Sequence, residues 1–191
     1  MTLIIYAHPA QDGHCHAILQ ETTRILTEKN IAFEVLDLYK MGFDPVLHDN
    51  ELYSHGRREV SAQTKSIQEK ISATDKLIFI YPVWWNSMPA MMKGFLDKVL
   101  TSPFAYKYDG GIPQRHLTGK KALIMMTTGA SRTLGNLFLG RRAAKIISRD
   151  TLLFCGVWSR VRYLYSCRRF DEKRLEKVKQ FVPKALKYLY K

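Results

Sequence analysis

Two adjacent tryptophans, Trp84 and Trp85, lie between an apolar run at residues 77–81 and a helical pattern that starts after Pro89. Pro82 ends the apolar run because proline has no N–H to donate to a sheet. Neither indole belongs to the apolar stripe of the helix, so both need another explanation. A loop rich in tryptophan at the end of a strand suits a flat, conjugated ligand such as a flavin ring. Packing of both indoles against the sheet edge is the alternative.

A second loop that could do chemistry, HPAQDGHCH at residues 8–16, follows an apolar run near the N-terminus. It contains neither the G-x-G-x-x-G nor the G-x-x-x-x-G-K pattern of two common nucleotide-binding loops. A helix is expected to follow, and backbone N–H groups at a helix N-terminus bind phosphate. The N–H groups expected at this phosphate site are those of Asp12, Gly13, His14, Cys15 and His16, and the side chains of His8 and His14 could add hydrogen bonds or charge.

The three histidines of this loop, His8, His14 and His16, also raise the question of a metal site. His14 and His16 are only two residues apart, and Asp12 is the one carboxylate nearby. Protein zinc sites need a more complete set of ligands than this. Because a phosphate loop accounts for all three histidines, no metal is expected.

A third loop begins with Thr127, Thr128 and Gly129, directly after an apolar run at residues 122–126. Two hydroxyl groups beside a backbone that a ligand can approach closely suit the polar edge of a bound ring. A plain turn is the alternative for this loop taken alone.

Alternating strands and helices are expected to position these loops. The strands are predicted at residues 3–7, 33–38, 77–81, 122–126 and 157–165, and the helices at residues 17–29, 60–72, after Pro89, at 143–154 and at 172–190 with a kink or break at Pro183. This alternation predicts one α/β domain over residues 1–191, a doubly wound five-stranded parallel sheet in the flavodoxin-like order 2-1-3-4-5. The three loops then lie together at the carboxyl edge of the sheet. The connection at residues 101–119 is too long for a bare loop and is a further functional candidate.

The net charge of +13 is concentrated in the C-terminal part of the chain. From Lys120 onward lie 18 of the 30 Lys and Arg residues but only 4 of the 17 Asp and Glu residues. Such a surface could meet nucleic acid or an anionic membrane, or attract phosphorylated ligands; a solvated basic face is the alternative. No nucleic-acid-binding motif accompanies the charge, so no nucleic-acid partner is expected.

The cysteines and the apolar runs indicate a compartment. Cys15, Cys155 and Cys167 are scattered and form no C-x-x-C pair, which disfavours a disulfide framework and a zinc site. No export signal is visible at the N-terminus, and nowhere do eighteen apolar residues run together. We therefore expect a cytoplasmic protein without a membrane span.

Several motifs together resemble one family. They are AHP near the N-terminus, DLY at residues 37–39 with FDP shortly after, YPVWWNSMPAMMKGFLDKV, FAYKY and TTGAS. These motifs look like the NAD(P)H:quinone oxidoreductases of the flavodoxin-like fold, which include bacterial modulator-of-drug-activity and potassium-efflux ancillary proteins. The resemblance covers most of the chain, and its W-x-x-x-P-A-x-x-K-G pattern is specific in combination with the spaced FAY and TTG.

The resemblance implies a role for each group of residues. His8, Asp12, Gly13, His14 and Cys15 would hold the phosphates and adenosine side of the flavin; Pro82, Val83, Trp84, Trp85 and Asn86 would line its isoalloxazine; and Thr127, Thr128 and Gly129 would bind the far edge of the ring. Trp85, Thr128 and Gly129 would be the catalytic group. Tyr106 and Tyr108 match aromatics that reach across a dimer, and with Asn86 they would form the substrate pocket.

Two departures from the family limit what carries over. After TTG, the stretch ASRTLGNLFLG lacks the Tyr and the His that steady the reduced flavin in the animal enzymes; Gly135 stands where the Tyr is sought, and Ala130 replaces a second glycine. The long C-terminal extension of those enzymes is also missing. Their proton relay is therefore not carried over, and Arg132, Arg141 or Arg142 could supply a positive charge instead.

The resemblance implies an NAD(P)H dehydrogenase that acts on quinones or similar aromatic acceptors, with FAD as cofactor and FMN as the alternative. A homodimer and ping-pong kinetics are expected. A second hypothesis is a flavin-binding ancillary subunit that docks on a membrane transporter through its basic C-terminal half. A third is a nucleic-acid binder that uses the same charge.

Overall fold

A single parallel sheet forms the centre of the molecule, of which the computed structural model describes residues 1–52, 59–137 and 141–190. The strands of this sheet are β1 (Thr2–Tyr6), β2 (Phe33–Asp37), β3 (Lys76–Pro82), β6 (Lys121–Thr127) and β7 (Trp158–Leu164). All neighbours pair in parallel, in the order β2-β1-β3-β6-β7. Counted within this sheet, the order is 2-1-3-4-5, so the predicted fold class and strand order are confirmed.

Helices cover both faces of the sheet. They are α1 (Gly13–Glu28), α2 (Ala62–Ser72), α3 (Ala90–Val99), α4 (Arg132–Leu137), α5 (Arg142–Lys145) and α6 (Glu172–Leu186), with a 3₁₀ turn at Asp49–Glu51 and a π-helix at Ile146–Leu153. α1 and α6 pack on one face, and α2, α3 and the π-helix pack on the other. In the part of the chain that the structure describes, no helix is long and apolar enough to cross a membrane.

Side chains of β1 show why the strands read as unbroken apolar runs. Leu3 and Ile5 are fully buried on the side of α2 and α3, whereas Ile4 and Tyr6 are fully buried on the side of α1 and α6. A strand with helices on both faces has no solvent side, so polar residues are not needed at alternate positions. The same burial holds along β3 and β6.

The first helix begins earlier than predicted, and this changes the phosphate loop. α1 starts at Gly13 rather than at residue 17, and Asp12 is its extended N-cap residue. The predicted start was wrong because Gly13, His14 and Cys15 add nothing to the apolar period that marks the rest of the helix. The N-terminal N–H groups of α1 therefore lie inside the predicted phosphate loop itself.

Two helices near the C-terminus also differ from the prediction. The segment predicted as one helix at residues 143–154 is divided between α5 and the π-helix, in which Thr151 Oγ1 donates to the carbonyl of Ile146, five residues earlier. The last helix passes through Pro183 and ends at Leu186 instead of residue 190.

The long connection at residues 101–119 contains an antiparallel hairpin that the sequence prediction missed. Its strands are β4 (Tyr106–Asp109) and β5 (Ile112–Arg115). Gly110 and Gly111 form the two-residue turn, with φ of 54° and 83°. Both central residues of such a turn need positive φ, which glycine adopts without strain. The Asp-Gly-Gly sequence was the signal that could have revealed the hairpin.

Candidate functional site

A cavity of about 780 Å³ lies at the carboxyl ends of β1, β3 and β6. These three strands are neighbours in the sheet, so the loops that follow them meet at one edge. The predicted site residues that line the cavity are His8, Asp12, Gly13, His14, Cys15, Pro82, Val83, Trp84, Thr127, Thr128 and Gly129. The fold thus brings all three predicted loops together in one space.

The first loop presents the N-terminus of α1 together with two histidine nitrogens. His14 Nε2 and His16 Nδ1 are buried and have no hydrogen-bond partner among the described residues. Buried polar atoms in native proteins are nearly always hydrogen-bonded, so two orphans beside a helix N-terminus point to a missing acceptor or donor. A phosphate group has the charge and the oxygen atoms that this place lacks.

His14 acts here as a neutral ring. Burial lowers the pKa of His14 below its ordinary value of 6.5, and the nearby Arg174 lowers it further. The imidazole also lies edge-on to the ring of Phe170, with 5.0 Å between the centroids. At neutral pH the side chain is therefore a hydrogen-bonding group and not a cation.

Cys15 joins the first loop to the third. Its Sγ lies 3.2 Å from Thr127 Oγ1, and both residues are buried. Burial raises the pKa of the Cys15 thiol to about 12, so the thiol stays protonated at neutral pH. Because the thiolate is the reactive form of cysteine, Cys15 serves to hold the two loops together and not as a nucleophile.

The second loop is a tight turn that carries the two tryptophans differently. Trp84 and Ser87 exchange two backbone hydrogen bonds of 3.0 and 2.9 Å, which close a turn with Trp85 and Asn86 at its centre. Trp84 lines the cavity, and its ring lies 6.5 Å from that of His8. Trp85 is fully exposed at the tip of the turn, and neither it nor Asn86 lines the cavity of a single chain.

Backbone strain marks this turn. Trp85 has φ of 49° and Asn86 has φ of 55°. Asparagine tolerates this left-handed region, but a bulky aromatic residue rarely occupies it. A fully exposed side chain gains nothing from packing that would compensate for the strain, and uncompensated strain of this kind is concentrated at functional sites.

The third loop offers a hydroxyl group and a nearby cation. Thr128 Oγ1 accepts a hydrogen bond of 3.3 Å from the backbone N–H of Ala130, which leaves its own O–H able to donate. Arg168 Nε donates to the carbonyl of Gly129 at 3.3 Å, and the Arg168 side chain lines the cavity. The positively charged guanidinium of Arg168 therefore lies beside the third loop.

Sequence reasoning missed a fourth segment of the cavity wall. Cys167, Arg168 and Phe170 follow β7, the outermost strand, and all three line the cavity. Their backbone is tied to the third loop, since Cys167 N–H donates to the carbonyl of Thr128 at 2.9 Å. The sequence did hold a signal for this segment. Ligands bind at the carboxyl ends of the strands of a parallel sheet, and this segment follows the last predicted strand.

Tyr106 and Tyr108 lie away from this cavity. Tyr106 lines a separate cavity of about 370 Å³ and packs edge-on against Phe154, with 5.0 Å between the ring centroids. Tyr108 is 53% exposed on the hairpin. Within one chain the structure does not bring either tyrosine to the predicted site, and their role across a dimer stays a prediction.

Gly135 lies close to the ring of Tyr165. A Cβ atom on Gly135 would lie 3.0 Å from Cε1 of Tyr165. The ring of Tyr165 also stacks on that of Tyr163, with 5.4 Å between the centroids. Any side chain at position 135 would therefore require the Tyr165 ring to shift.

Comparison with known proteins gives one family and several relatives. Residues 1–189 match the family described as having a flavodoxin-like fold. NAD(P)H dehydrogenase [quinone] 1 of Cavia porcellus is 31% identical over 175 residues, which are 81% of this chain and 64% of that relative. The chain thus spans slightly less than two thirds of the length of the curated relatives that it matches first.

Solved structures share the whole architecture. The NAD(P)H:quinone oxidoreductase of Methanothermobacter marburgensis has a TM-score of 0.84 at 27% identity, over 100% of this chain and 96% of that one. An FMN-dependent NADH-azoreductase of Bacillus anthracis, solved in complex with FMN, has a TM-score of 0.75 over 100% and 99% of the two chains. At 18% identity, the second comparison shows the fold alone.

Proposed function

The chain belongs to the family with the flavodoxin-like fold, and we propose that it is a flavin-dependent NAD(P)H oxidoreductase acting on quinones or similar aromatic acceptors. One observation carries this proposal: three loops converge on a cavity that is lined by a helix N-terminus, by two histidines with orphaned nitrogens and by a tryptophan. The names of the relatives from Cavia porcellus and Methanothermobacter marburgensis support the same activity. We extend the proposal to one domain over residues 1–191.

The first loop would hold the phosphate of the flavin. The free N–H groups at the start of α1 point along the helix axis, where the helix dipole favours an anion. His14 Nε2 and His16 Nδ1 would each gain the hydrogen-bond partner that they lack. His8 also lines the cavity and uses Nδ1 for a contact of 3.1 Å with the carbonyl of Ala10, so its other nitrogen is the one available to a ligand.

The second and third loops would hold the ring. Pro82, Val83 and Trp84 would cover one side of it, and the Thr128 hydroxyl with the backbone at Gly129 would bind its polar edge. When bound, the flavin supplies hydride transfer at N5. The protein contributes binding, orientation and a hydrogen-bond donor where negative charge develops, and one such donor is typically worth about 3 kcal/mol of transition-state stabilisation.

A dimer would complete the site. Tyr108 and Ile112 are large side chains exposed on the hairpin, at 53% and 65%. We propose that the hairpin of one subunit covers the cavity of the other, where Tyr108 meets the acceptor beside Trp85 and Asn86. The exposed Trp85 would then be buried against the ring and the partner subunit.

The identity of the flavin nucleotide is a separate proposal. We propose FAD, because the cavity extends past the α1 N-terminus to the aromatic ring of Phe170, which could carry a second flat group. FMN is the alternative, in accord with the FMN complex of the Bacillus anthracis azoreductase. Release of the chromophore from purified protein, followed by its mass, decides between the two.

The cosubstrate and the acceptor would use the same space in turn. A single opening over the ring cannot hold a nicotinamide and a quinone at once, so the two should alternate in a ping-pong sequence. NAD(P)H oxidation with menadione as acceptor tests the activity and the order together. Parallel double-reciprocal lines are expected; intersecting lines would contradict alternation, and absence of turnover by flavin-loaded protein would contradict the proposed function.

A further inference from the structure

The outer edge of β7 carries backbone groups that pair with nothing in the described structure. Trp158 N–H donates to Lys120 at 3.2 Å, and Leu164 accepts from Thr128 at 3.0 Å. These two bonds show which residues of β7 face β6, because alternate residues of a strand direct their N–H and C=O groups to opposite sides. The residues that direct their backbone groups outward are Ser159, Val161 and Tyr163.

A basic groove of about 640 Å³ lies along this edge. We use the name basic groove for the concave surface formed by Arg141, Lys145, Ser148, Ser159, Arg160 and Arg162. No Asp or Glu lines it, and none of its four cations forms an ion pair with a residue that the structure describes. The Arg160 guanidinium lies over the ring of Tyr188, 5.3 Å from its centroid. This groove contains part of the C-terminal excess of positive charge, and none of its residues lines the proposed flavin site.

The four cations of the basic groove belong to two segments that border this edge. Arg160 and Arg162 are two residues apart on β7, so they lie on one face of the sheet. Arg141 is the N-cap residue of α5 and Lys145 is its last residue, and both line the groove. Cations therefore border the free edge of β7 from two sides.

The opposite edge of the sheet is different. β2 forms that edge, and its Glu34 pairs with Lys70 of α2. Glu34 thus brings a carboxylate to that edge, whereas no Asp or Glu lines the basic groove. An acidic partner would therefore bind more favourably at the β7 edge than at the β2 edge.

We propose that an acidic polypeptide segment binds the basic groove as an added strand beside β7. Its backbone would pair with the outward groups of Ser159, Val161 and Tyr163, and its carboxylates would meet the four cations. Strand addition at an open sheet edge derives affinity from the main chain and specificity from alternate side chains. Nucleic acid would satisfy the cations but not the row of backbone groups, so a peptide fits both features.

The test uses the full chain, in its flavin-loaded form, and fluorescence anisotropy. The probe is a short labelled peptide of alternating glutamate and threonine, and its control has the same composition in alternating D- and L-residues, which cannot form a strand. We expect saturable binding of the first peptide, weakened by added salt, and no saturable binding of the second.

Variants of the chain locate the site. Arg160→Gln with Arg162→Gln is expected to weaken binding about tenfold, as expected for two partly exposed ion pairs. The matched control, Lys29→Gln with Lys40→Gln, removes two exposed cations near the β2 edge and should change affinity less than about twofold. Val161→Pro removes an outward N–H without breaking the bonds to β6, and is also expected to abolish strand pairing.

Three outcomes would overturn the proposal. They are no binding of the all-L peptide, equal binding of the D,L peptide, and tighter binding of a single-stranded oligonucleotide than of the acidic peptide. Flavin content and menadione reduction should be unchanged in the double arginine variant, which separates this proposal from the oxidoreductase activity. If Val161→Pro does not fold, the comparison of the two peptides still decides whether the backbone pairs.

Discussion

At the scale of single residues, the polar atoms of the cavity divide into two groups. His14 and His16 have buried nitrogens without described partners, whereas Cys15 and Thr127 satisfy each other across two loops. The orphaned atoms are the ones that a ligand would complete, because a buried unpaired polar group costs about 1–3 kcal/mol. The paired atoms hold the cavity in shape.

Replacement of His14 by Gln should separate binding from stability. The folded state lowers the His14 pKa, so the unfolded chain binds the proton more strongly. Stability from this group is present above the unfolded pKa, near 6.5, and is lost as pH falls through and below that value. His14→Gln should weaken flavin binding because it removes the proposed contact of Nε2 with the phosphate. It should also make the free energy of unfolding less dependent on pH at acid pH, measured by urea unfolding between pH 5 and 8.

His48 provides the control for this prediction, since it is an exposed histidine paired with Asp44 outside the cavity. His48→Gln should leave flavin affinity unchanged. An unaltered flavin dissociation constant in His14→Gln would refute a phosphate contact by this residue.

Replacement of Thr128 by Val should slow the chemistry more than it weakens binding. The Thr128 hydroxyl is free to donate to the ring edge, and loss of one such donor is expected to lower the rate of flavin reduction by about 100-fold. Stopped-flow reduction by NADH, with flavin content measured on the same sample, tests this. Thr23→Val on α1, where the hydroxyl is bonded to Gln20, is the matched control.

Gly135→Tyr belongs to the same experiment. Its side chain would meet Tyr165, so it should not restore the relay of the animal enzymes and should leave the reduction rate of the wild-type site little changed or lower. A large increase in rate would contradict the account of Thr128.

At the scale of elements, the tight turn at Trp84–Ser87 keeps an unfavourable conformation. Trp85 is fully exposed with φ of 49°, and a left-handed backbone costs an L-residue roughly 1–2 kcal/mol. Two backbone hydrogen bonds between Trp84 and Ser87 close the turn, whereas the fully exposed Trp85 side chain contributes no burial that would offset this cost. A functional contact made by the Trp85 ring would explain it.

Trp85→Gly should consequently raise stability while lowering function. We expect the free energy of unfolding of flavin-free protein to rise by about 1 kcal/mol, and flavin retention to fall further than in Trp84→Ala. Arg141→Gly, at φ of 52° outside the cavity, is the control for relief of strain alone. Greater stability of Trp85→Gly with full flavin retention would contradict a contact between the Trp85 ring and the flavin.

At the scale of the whole molecule, the exposed hairpin and the exposed Trp85 turn leave large apolar side chains in water. The hairpin carries Tyr108 and Ile112, and exposed large apolar groups of this kind commonly mark interaction surfaces. A dimer that buries both segments would close the open cavity over the ring.

Ile112→Asp should shift the protein from dimer to monomer. A carboxylate in the centre of an apolar contact is left without a partner, so association should weaken strongly. Sedimentation velocity measures the fraction of dimer, and the absorbance of the same samples measures bound flavin. Both the fraction of dimer and the amount of bound flavin should fall. Lys107→Asp, on the exposed part of the same hairpin, is the control for charge. A wild-type protein that is monomeric and retains flavin would refute the dimer.

The architecture could be predicted because its cause is local. Residues 77–81 and 122–126 read as unbroken apolar runs since helices cover both faces of the sheet, and the alternation of strands with helices then implies the strand order. Loops after neighbouring parallel strands must meet, so His14, Trp84 and Thr128 were predicted to lie together. The hairpin was missed although its Asp-Gly-Gly turn was readable.

Other features were decided only by the tertiary structure. Arg168 and Phe170 enter the cavity because the chain turns back after β7, and no spacing in the sequence relates them to His14. The exposure of Trp85 and the contact of Gly135 with Tyr165 likewise depend on how the folded chain places its segments. The types of residue in a segment and the spacing of its apolar residues predict which face of the segment is buried. The direction of each side chain depends on the neighbours that the folded chain brings to it.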